Sequence, residues 1–422
     1  MNAATIPGRK AAVPFILVTV LLDVLGFGLI IPVLPSLVGE FAGSRDAQAY
    51  WYGILVAVYG LMQFGCAPLL GALSDRYGRR PVMLFAIAGL GLDFLLMAVA
   101  PSLGWLLVAR IIGGGTAANF SVASAYIADV TAPDQRSKAM GLIGAAFGVG
   151  FIFGPVMGGL LSGIDLRLPF YVAAALALAN VAYGYFILPE SLPLDRRAPF
   201  VFAKANPFSA LKNLVELRGV GGLVWVFAFT MLAQFILHST WVLFTTFRFG
   251  WTPNQNGISL FFVGMTAALV QGLLLGRLLM RFGEQRTVLF GLISAAIAMT
   301  LYAFVQQAWM LYAIIVGNAL SFAVGPALQG LISKNVDARA QGITMGSLNA
   351  VQSVMSVLAP LIGAPLLAAV SHYPQSDWRV GAPFFASATL QLVSIALAVR
   401  HFRRHPAGAK DATPAEAGRA TA

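Results

Sequence analysis

Twelve apolar runs, each close to the length of a bilayer-crossing helix, leave this chain little choice of solvent. They fall at about 14–34, 51–72, 82–100, 103–128, 139–162 and 169–188, then at 219–245, 257–279, 287–305, 309–332, 342–369 and 382–400. A helix needs roughly 20 apolar residues to cross the hydrocarbon core. In lipid the backbone must satisfy its own hydrogen bonds, so long unbroken runs read as helices and not as the alternating strands of a barrel. Only 10% of the 422 residues are charged and 59% are hydrophobic, against roughly 25% charged in a soluble domain. The expected fold class is therefore an all-α polytopic membrane protein with twelve transmembrane helices, numbered below as spans 1 to 12. Arg9 and Lys10 precede span 1 as they would a signal peptide. Its run is too long for one and no small-residue cleavage site ends it cleanly, so it is expected to be retained.

Basic residues in the connections set the orientation. With the N-terminus placed inside, the inner segments hold 22 of the 27 Lys and Arg, the outer loops hold Arg45, Arg167, Arg248 and Arg379, and Arg110 falls within a span. Both termini are thus expected in the cytoplasm. The net charge of +11 is spread over seven inner segments beside anionic lipid, which argues against a nucleic-acid partner. Cys66 is the only cysteine, so disulfides within the chain and thiolate metal clusters are excluded.

The chain divides and repeats. Residues 189–218, "PESLPLDRRAPFVFAKANPFSALKNLVELR", are rich in charge and proline and separate six spans from six. "GALSDRYGRRP" from Gly71 recurs as "GRLLMRFGEQR" from Gly276, with Gly, Leu, Arg, aromatic and Gly at the same offsets, 205 residues apart. "PFY" and "PFF" similarly open spans 6 and 12. The expected domains are a six-helix bundle over 1–188, a cytoplasmic linker over 189–218, a second bundle over 219–400 and a disordered tail over 401–422. Repeats of this kind frame a substrate site near the membrane midplane in transporters.

Asp23, Asp93 and Arg110 are the acidic or basic residues well inside spans. Each costs about 2.5–3.5 kcal/mol on insertion scales, so each should face protein or water. The plain reading is an ion pair or a packing hydrogen bond. The sharper one is a proton-coupling site, because burial and a nearby cation push a carboxyl's protonation in opposite directions. Pro32 and Pro35 should bend or end span 1 at its outer end. Gly150, Gly154 and Gly158 fall at i, i+4 and i+8 on span 5 and give one flat face that a neighbouring helix can approach; Pro155 can bend that helix. Gly78 permits a tight turn between spans 2 and 3.

Polar and aromatic residues elsewhere would line a binding cavity. In the first half these are Gln63 and Asn119. In span 7 they are Gln234, His238, Trp241 and Phe244; further on they are Gln271, Asn318, Gln329, Asn349 and Gln352. Each is individually as compatible with helix packing as with ligand binding.

Three motifs together resemble the major facilitator superfamily. Gly71-x-Leu73-x-Asp75-Arg76-x-Gly78-Arg79-Arg80 matches its signature loop. Gly141-x8-Gly150-x3-Gly154-Pro155-x2-Gly158-Gly159 matches the motif of its antiporter members, and Leu22-Asp23 through Pro32 to Pro35 resembles the first-span motif of its twelve-span drug/proton antiporters. "YGILVAVYGLMQFGCAPLLGALSDRYGRRPVML", "AYIADVT", "WVLF" followed by "RFGW", and "PALQG" are similar to the tetracycline/proton antiporters. Ala267 and Ala295 stand where well-known members carry a histidine in span 8 and an aspartate in span 9; His238 is the one histidine within a span.

The resemblance implies two pseudo-symmetric six-helix bundles in a bacterial cytoplasmic membrane, and a monomer. It implies export of a small-molecule drug, most simply a tetracycline carried as a magnesium chelate, in exchange for protons and with no resident cofactor. It implies that Arg79 meets Asp129 at the inner end of span 4, in a latch expected to hold the outward-open state and to break on opening inward. Glu284 and Met280 stand where Arg79 and Asp75 stand in the first half, so the second loop should be held differently. It also implies that the glycine face seals against leakage. An exporter of another amphipathic compound, or a proton symporter, is the alternative. No metal spacing, nucleophile elbow, phosphate loop or channel filter appears, which argues against an enzyme, a nucleotide-driven pump or a channel.

Overall fold

The computed structural model describes residues 9–132, 134–200, 221–336 and 341–405. The expected linker is thus described as far as residue 200 and the expected tail as far as 405; the remainder of each lies outside the described residues. Among the described residues the chain is helical with no strand. Span 1 is Arg9–Ile30, stopped by the turn at Pro32 and followed by the short helix Leu34–Ala42. Spans 2 and 3 are Arg45–Tyr77 and Arg79–Ala98, span 5 is Arg136–Ser162 and span 6 is Leu168–Ile187. Span 7 is Gly221–Phe249, span 11 Gln341–Val370 and span 12 Ala382–Arg404.

Spans 4 and 10 are both broken. Span 4 runs Leu103–Thr116 and Asn119–Val130. Span 10 runs Ala308–Gly317 and, after a 3-10 turn, Val324–Lys334, with a 47° bend. Spans 8 and 9 form one continuous stretch of 52 residues, Pro253–Phe304. At 1.5 Å per residue that is about 78 Å, far more than one bilayer. It folds back at Gly283, whose φ of 74° and ψ of 169° break the helix. Twelve crossings result.

Short side chains fix the hairpins. Ser44 and Ser102 accept backbone hydrogen bonds from Ala47 and Trp105 at the starts of spans 2 and 4. Thr252 and Gln255 form a capping box ahead of span 8, with Pro253 at its first position; each device satisfies orphan amides of a helix start. Between spans 2 and 3 the turn is Gly78, at φ 107°, a conformation open to glycine but strained for other residues.

One apolar core lies among the first six spans and is joined by Leu243 and Phe247 of span 7 and Leu367 and Ala368 of span 11, while two further clusters lie within the last six. Two seams join the halves. On span 2, Gly53 packs against Pro360 and Ala364 of span 11, and Gly60 lies beside Val357. On span 8, Gly257 packs against Pro155 of span 5, and Gly264 against Ile152. The same helix stripes continue toward the end face that carries Asp75 and Lys334, but their partners do not. Gly71 on span 2, Gly346 on span 11, Gly141 and Gly148 on span 5, and Gly272 and Gly276 on span 8 have no atom within 4 Å of an added Cβ. The halves therefore meet at one face of the membrane and stand apart at the other, the basic one.

Candidate functional site

Asp23 lies deep in the first bundle, 8% exposed. Among the described residues its carboxylate is held by amides alone: Asn119 Nδ2 donates to Oδ2 at 2.8 Å and Asn180 Nδ2 to Oδ1 at 3.4 Å. Thr19 Oγ1 donates to Asn180 Oδ1 at 3.2 Å and orients that amide. Asn119 begins the second segment of span 4, so the break at Ala117 and Ala118 aims its side chain at span 1. Asn119, expected on the cavity wall, is thus a direct partner of the carboxylate. Asn180 and Thr19 were not singled out from the sequence, where a lone span Asn or Thr looks like any packing residue.

Arg110 does not serve Asp23. It is ion-paired with Asp93, both nearly fully buried, and its guanidinium lies 5.0 Å above the Tyr59 ring. Gly113 leaves the space that the Asp93 carboxylate fills, and Gly114 lets the span 2 backbone approach. Asp93 Oδ1 and Arg110 Nε find no partner among the described residues. Asp23 and the Asp93–Arg110 pair are thus two separate polar centres, one neutralised internally and one not.

The glycine face of span 5 receives span 1, the helix that carries Asp23. Gly154 and Gly28 meet backbone to backbone, with an added Cβ on Gly154 only 2.7 Å from Gly28 Cα. Gly150 abuts Leu21, Val24 and Leu25, and Gly158 abuts Leu29. Gly159 turns the other way, toward Pro253 and Asn254 of span 8, as does the Pro155 carbonyl toward Gly257. Gly141 lies beyond all of these contacts. One helix thus holds span 1 on one side and the opposite half on the other.

The polar residues divide. Gln271 continues the Gly257–Gly264 stripe at a further seven residues, is exposed, and donates from Nε2 to Phe322 O at 3.4 Å. Asn349 and Gln352 continue the span 11 seam stripe below Ser356, and Gln63 flanks the span 2 stripe below Gly60; Asn349 and Gln63 are exposed. Gln63, Asn349 and Gln352 thus continue the seam stripes toward the open face, whereas Gln271 lies in the π-turn Val270–Leu274. His238 is exposed with its ring 6.2 Å from Phe235, and Gln234 and Gln329 are half-buried. Trp241 and Phe244 are corrected to core residues. Trp241 is 3% exposed and donates from Nε1 to Ser259 Oγ at 3.0 Å, while Phe244 packs edge-on to Phe384 at 4.5 Å. Asn318 is also drawn away: it accepts from Ser294 Oγ at 3.1 Å beside a lateral groove of about 550 Å³ between spans 9 and 10.

The signature loop is pinned inside its own half. Arg79 bonds Asp129 Oδ2 at 3.1 Å, Asp75 Oδ1 at 2.7 Å and Ser74 Oγ at 2.6 Å. The backbone amides of Arg79 and Arg80 donate to the Glu190 carboxylate at 2.8 and 3.3 Å. Glu190 therefore caps span 3, and a side chain on Gly78 would collide with it. Arg80 reaches the Tyr185 carbonyl at the end of span 6, and Arg76 lies 5.2 Å from the Tyr77 ring. The Arg79–Asp129 pair is intact although the basic face is open. The expectation that it breaks on opening is corrected: both partners belong to one bundle, so rocking between bundles does not separate them.

Two six-helix bundles with seams closed at one face and open at the other, around a buried carboxylate, define a transporter of the alternating-access kind. The Major Facilitator Superfamily profile matches residues 16–360 and 248–422, and the chain belongs to that family. It is 41% identical over 371 residues to the tetracycline resistance protein, class C, of Escherichia coli, covering 88% of this chain and 93% of that one. Identity is 37% over 375 residues to the class G protein of Vibrio anguillarum, covering 89% and 95%. Among solved structures, the human organic anion transporter MFSD10 superposes with a TM-score of 0.67 at 26% identity, covering 93% of this chain and all of the other. A bacterial homolog of the human lysosomal transporter Spinster, inward-facing, gives 0.74 at 16% identity, covering 95% and 98%, and shares the fold alone.

Proposed function

We propose that the chain exports an amphipathic drug, most simply a tetracycline as its magnesium chelate, in exchange for protons. The observation that carries this is Asp23: a buried carboxylate held by neutral amides alone, on a helix seated backbone to backbone against the span 5 glycines. Among the described residues no cation neutralises it in place, so a proton or a cationic substrate has to. When the site faces outward it takes a proton; when it faces the cytoplasm, proton loss and drug binding are linked. A potential of 100 mV adds about 2.3 kcal/mol per net charge moved, enough for roughly 50-fold accumulation if one uncompensated charge crosses.

The basic face is read as cytoplasmic, by the excess of Lys and Arg, which makes this conformation inward-open with both termini inside. The membrane is the bacterial inner membrane, the unit a monomer, and the domain boundaries are those of the two bundles around the 189–218 linker. Asp93 with Arg110 serves as a second charge centre. Gln63, Gln271, Asn349 and Gln352 contribute the cleft wall. Ala267 and Ala295, small where relatives of this type are polar, favour a second reading in which the cargo is another amphipathic compound. Proton release from the purified protein, on adding tetracycline with and without magnesium, separates the two. Release only with other drug classes would reject tetracycline, and no release with any drug would reject exchange.

A further inference from the structure

The two halves are related by an offset of 205 residues, and the structure shows how far that relation reaches. Gly78 and Gly283 are repeat-equivalent, and both break a helix at positive φ, 107° and 74°, with ψ at 156° and 169°. Arg79 and Asp129 correspond to Glu284 and Lys334. Glu284 Oε1 lies 2.6 Å from Lys334 Nζ. The pairing is kept and its polarity is reversed: the loop bears the cation in the first half and the anion in the second. The next residue keeps its job as well. Arg80 donates to the Tyr185 carbonyl at the end of span 6, and its equivalent Gln285 donates from Nε2 to the His405 carbonyl beyond span 12, at 3.0 Å. Met280, in the place of Asp75, is 84% exposed and offers no third partner.

We propose that Glu284 and Lys334 are positioning residues, a second latch that fastens the turn between spans 8 and 9 to the end of span 10 as Arg79 and Asp129 fasten the turn between spans 2 and 3 to the end of span 4. The reason lies in the seams. Spans 2 and 8 are equivalent helices, and each carries glycines that pack on the opposite half. Each must move with its own bundle if the bundle is to rock as a unit, and an ion pair on the turn that follows it supplies that link. A pair recognises opposite charge and not which partner holds which sign, so reversing it during divergence preserves the link. Residual binding of drug in the cleft does not depend on it.

The inference rests on the transport reading, and the test separates the two. Full-length protein in proteoliposomes is assayed for tetracycline–magnesium exchange as wild type, Glu284→Lys, Lys334→Glu and the double reversal. Each single variant places like charges together and should lower kcat roughly fivefold, the scale of about 1 kcal/mol for a half-exposed pair, with KM unchanged. The double reversal should return kcat to within about twofold of wild type. A second readout needs no substrate: probe pairs at Gly144→Cys and Gly276→Cys, in a Cys66→Ser background, report the distance between spans 5 and 8 at the basic face. The single variants should shift its distribution and the double reversal restore it. Single variants matching wild type in both readouts, or a double reversal no better than the singles, would overturn the latch. Wild-type protein inert toward tetracycline but showing the charge-dependent distance shift would reject the substrate and keep the latch.

Discussion

Adding one methyl group to span 5 tests how the coupling helix is held. In Gly154→Ala the new Cβ would lie 2.7 Å from Gly28 Cα, 2.9 Å from Leu25 O and 3.0 Å from Gly28 C. Carbon contacts settle at about 3.5–4.0 Å, so spans 1 and 5 must part by roughly 0.7–1 Å. All three obstacles are backbone atoms, and no rotamer change relieves them. Overpacking of this kind costs about 1–3 kcal/mol, and the upper part of that range applies here. Gly28→Ala meets the same wall from the other side, 2.9 Å from Gly154 Cα. Once one methyl has parted the helices the second has room, so the double variant should cost less than the two singles together. Gly148→Ala on the same helix meets nothing within 4 Å and should be neutral or stabilising by up to about 1 kcal/mol through helix propensity. Thermal unfolding of purified protein reads stability, and drug-driven proton movement in everted vesicles reads coupling. Gly148→Ala as harmful as Gly154→Ala, or strictly additive losses at 28 and 154, would refute the reasoning.

Asp93→Asn strands a buried guanidinium and should destabilise by about 3–5 kcal/mol, with Asp93→Asn plus Arg110→Gln recovering most of it in the same unfolding assay. Arg79→Ala frees Asp129 and Asp75 at once and should lower kcat roughly tenfold, about 1.4 kcal/mol, while equilibrium drug binding stays unchanged. In the loop after span 11, hydrogen bonds from Arg379 hold the Asp377 carboxyl down to about 2. A depressed group stabilises above its unfolded value and loses that contribution as pH falls through the folded one. Protease resistance of that loop should therefore persist to pH 4 and fall only below about 3, and Asp377→Asn should remove the transition.

The spans, the repeat and the glycine face were legible because they depend on local length and period. Asp23 was legible because a carboxylate in an apolar run is costly wherever it lies. Its partners were not: Asn180 is 157 residues away and indistinguishable from a packing amide, and Arg110 sits nearer in sequence to Asp93 than to Asp23, a proximity that the charge count alone did not weigh. Trp241 and Phe244 misled because an aromatic stripe has the same period whether it faces a cavity or a neighbouring helix. Glu190 was hidden in a segment that composition marked only as linker, although it caps span 3. The conformation was beyond sequence altogether, since it depends on where equivalent stripes lose their partners.

The central claim is that Asp23 couples proton to drug. The direct measurement is Asp23→Asn in everted vesicles, with drug-induced proton movement and equilibrium drug binding read on the same preparation. The asparagine keeps the shape and can still meet Asn119 and Asn180, so the bundle should fold and some drug should still bind, while drug-induced proton movement is lost. Normal exchange of drug for protons in Asp23→Asn would contradict the account and leave Asp23 a packing residue.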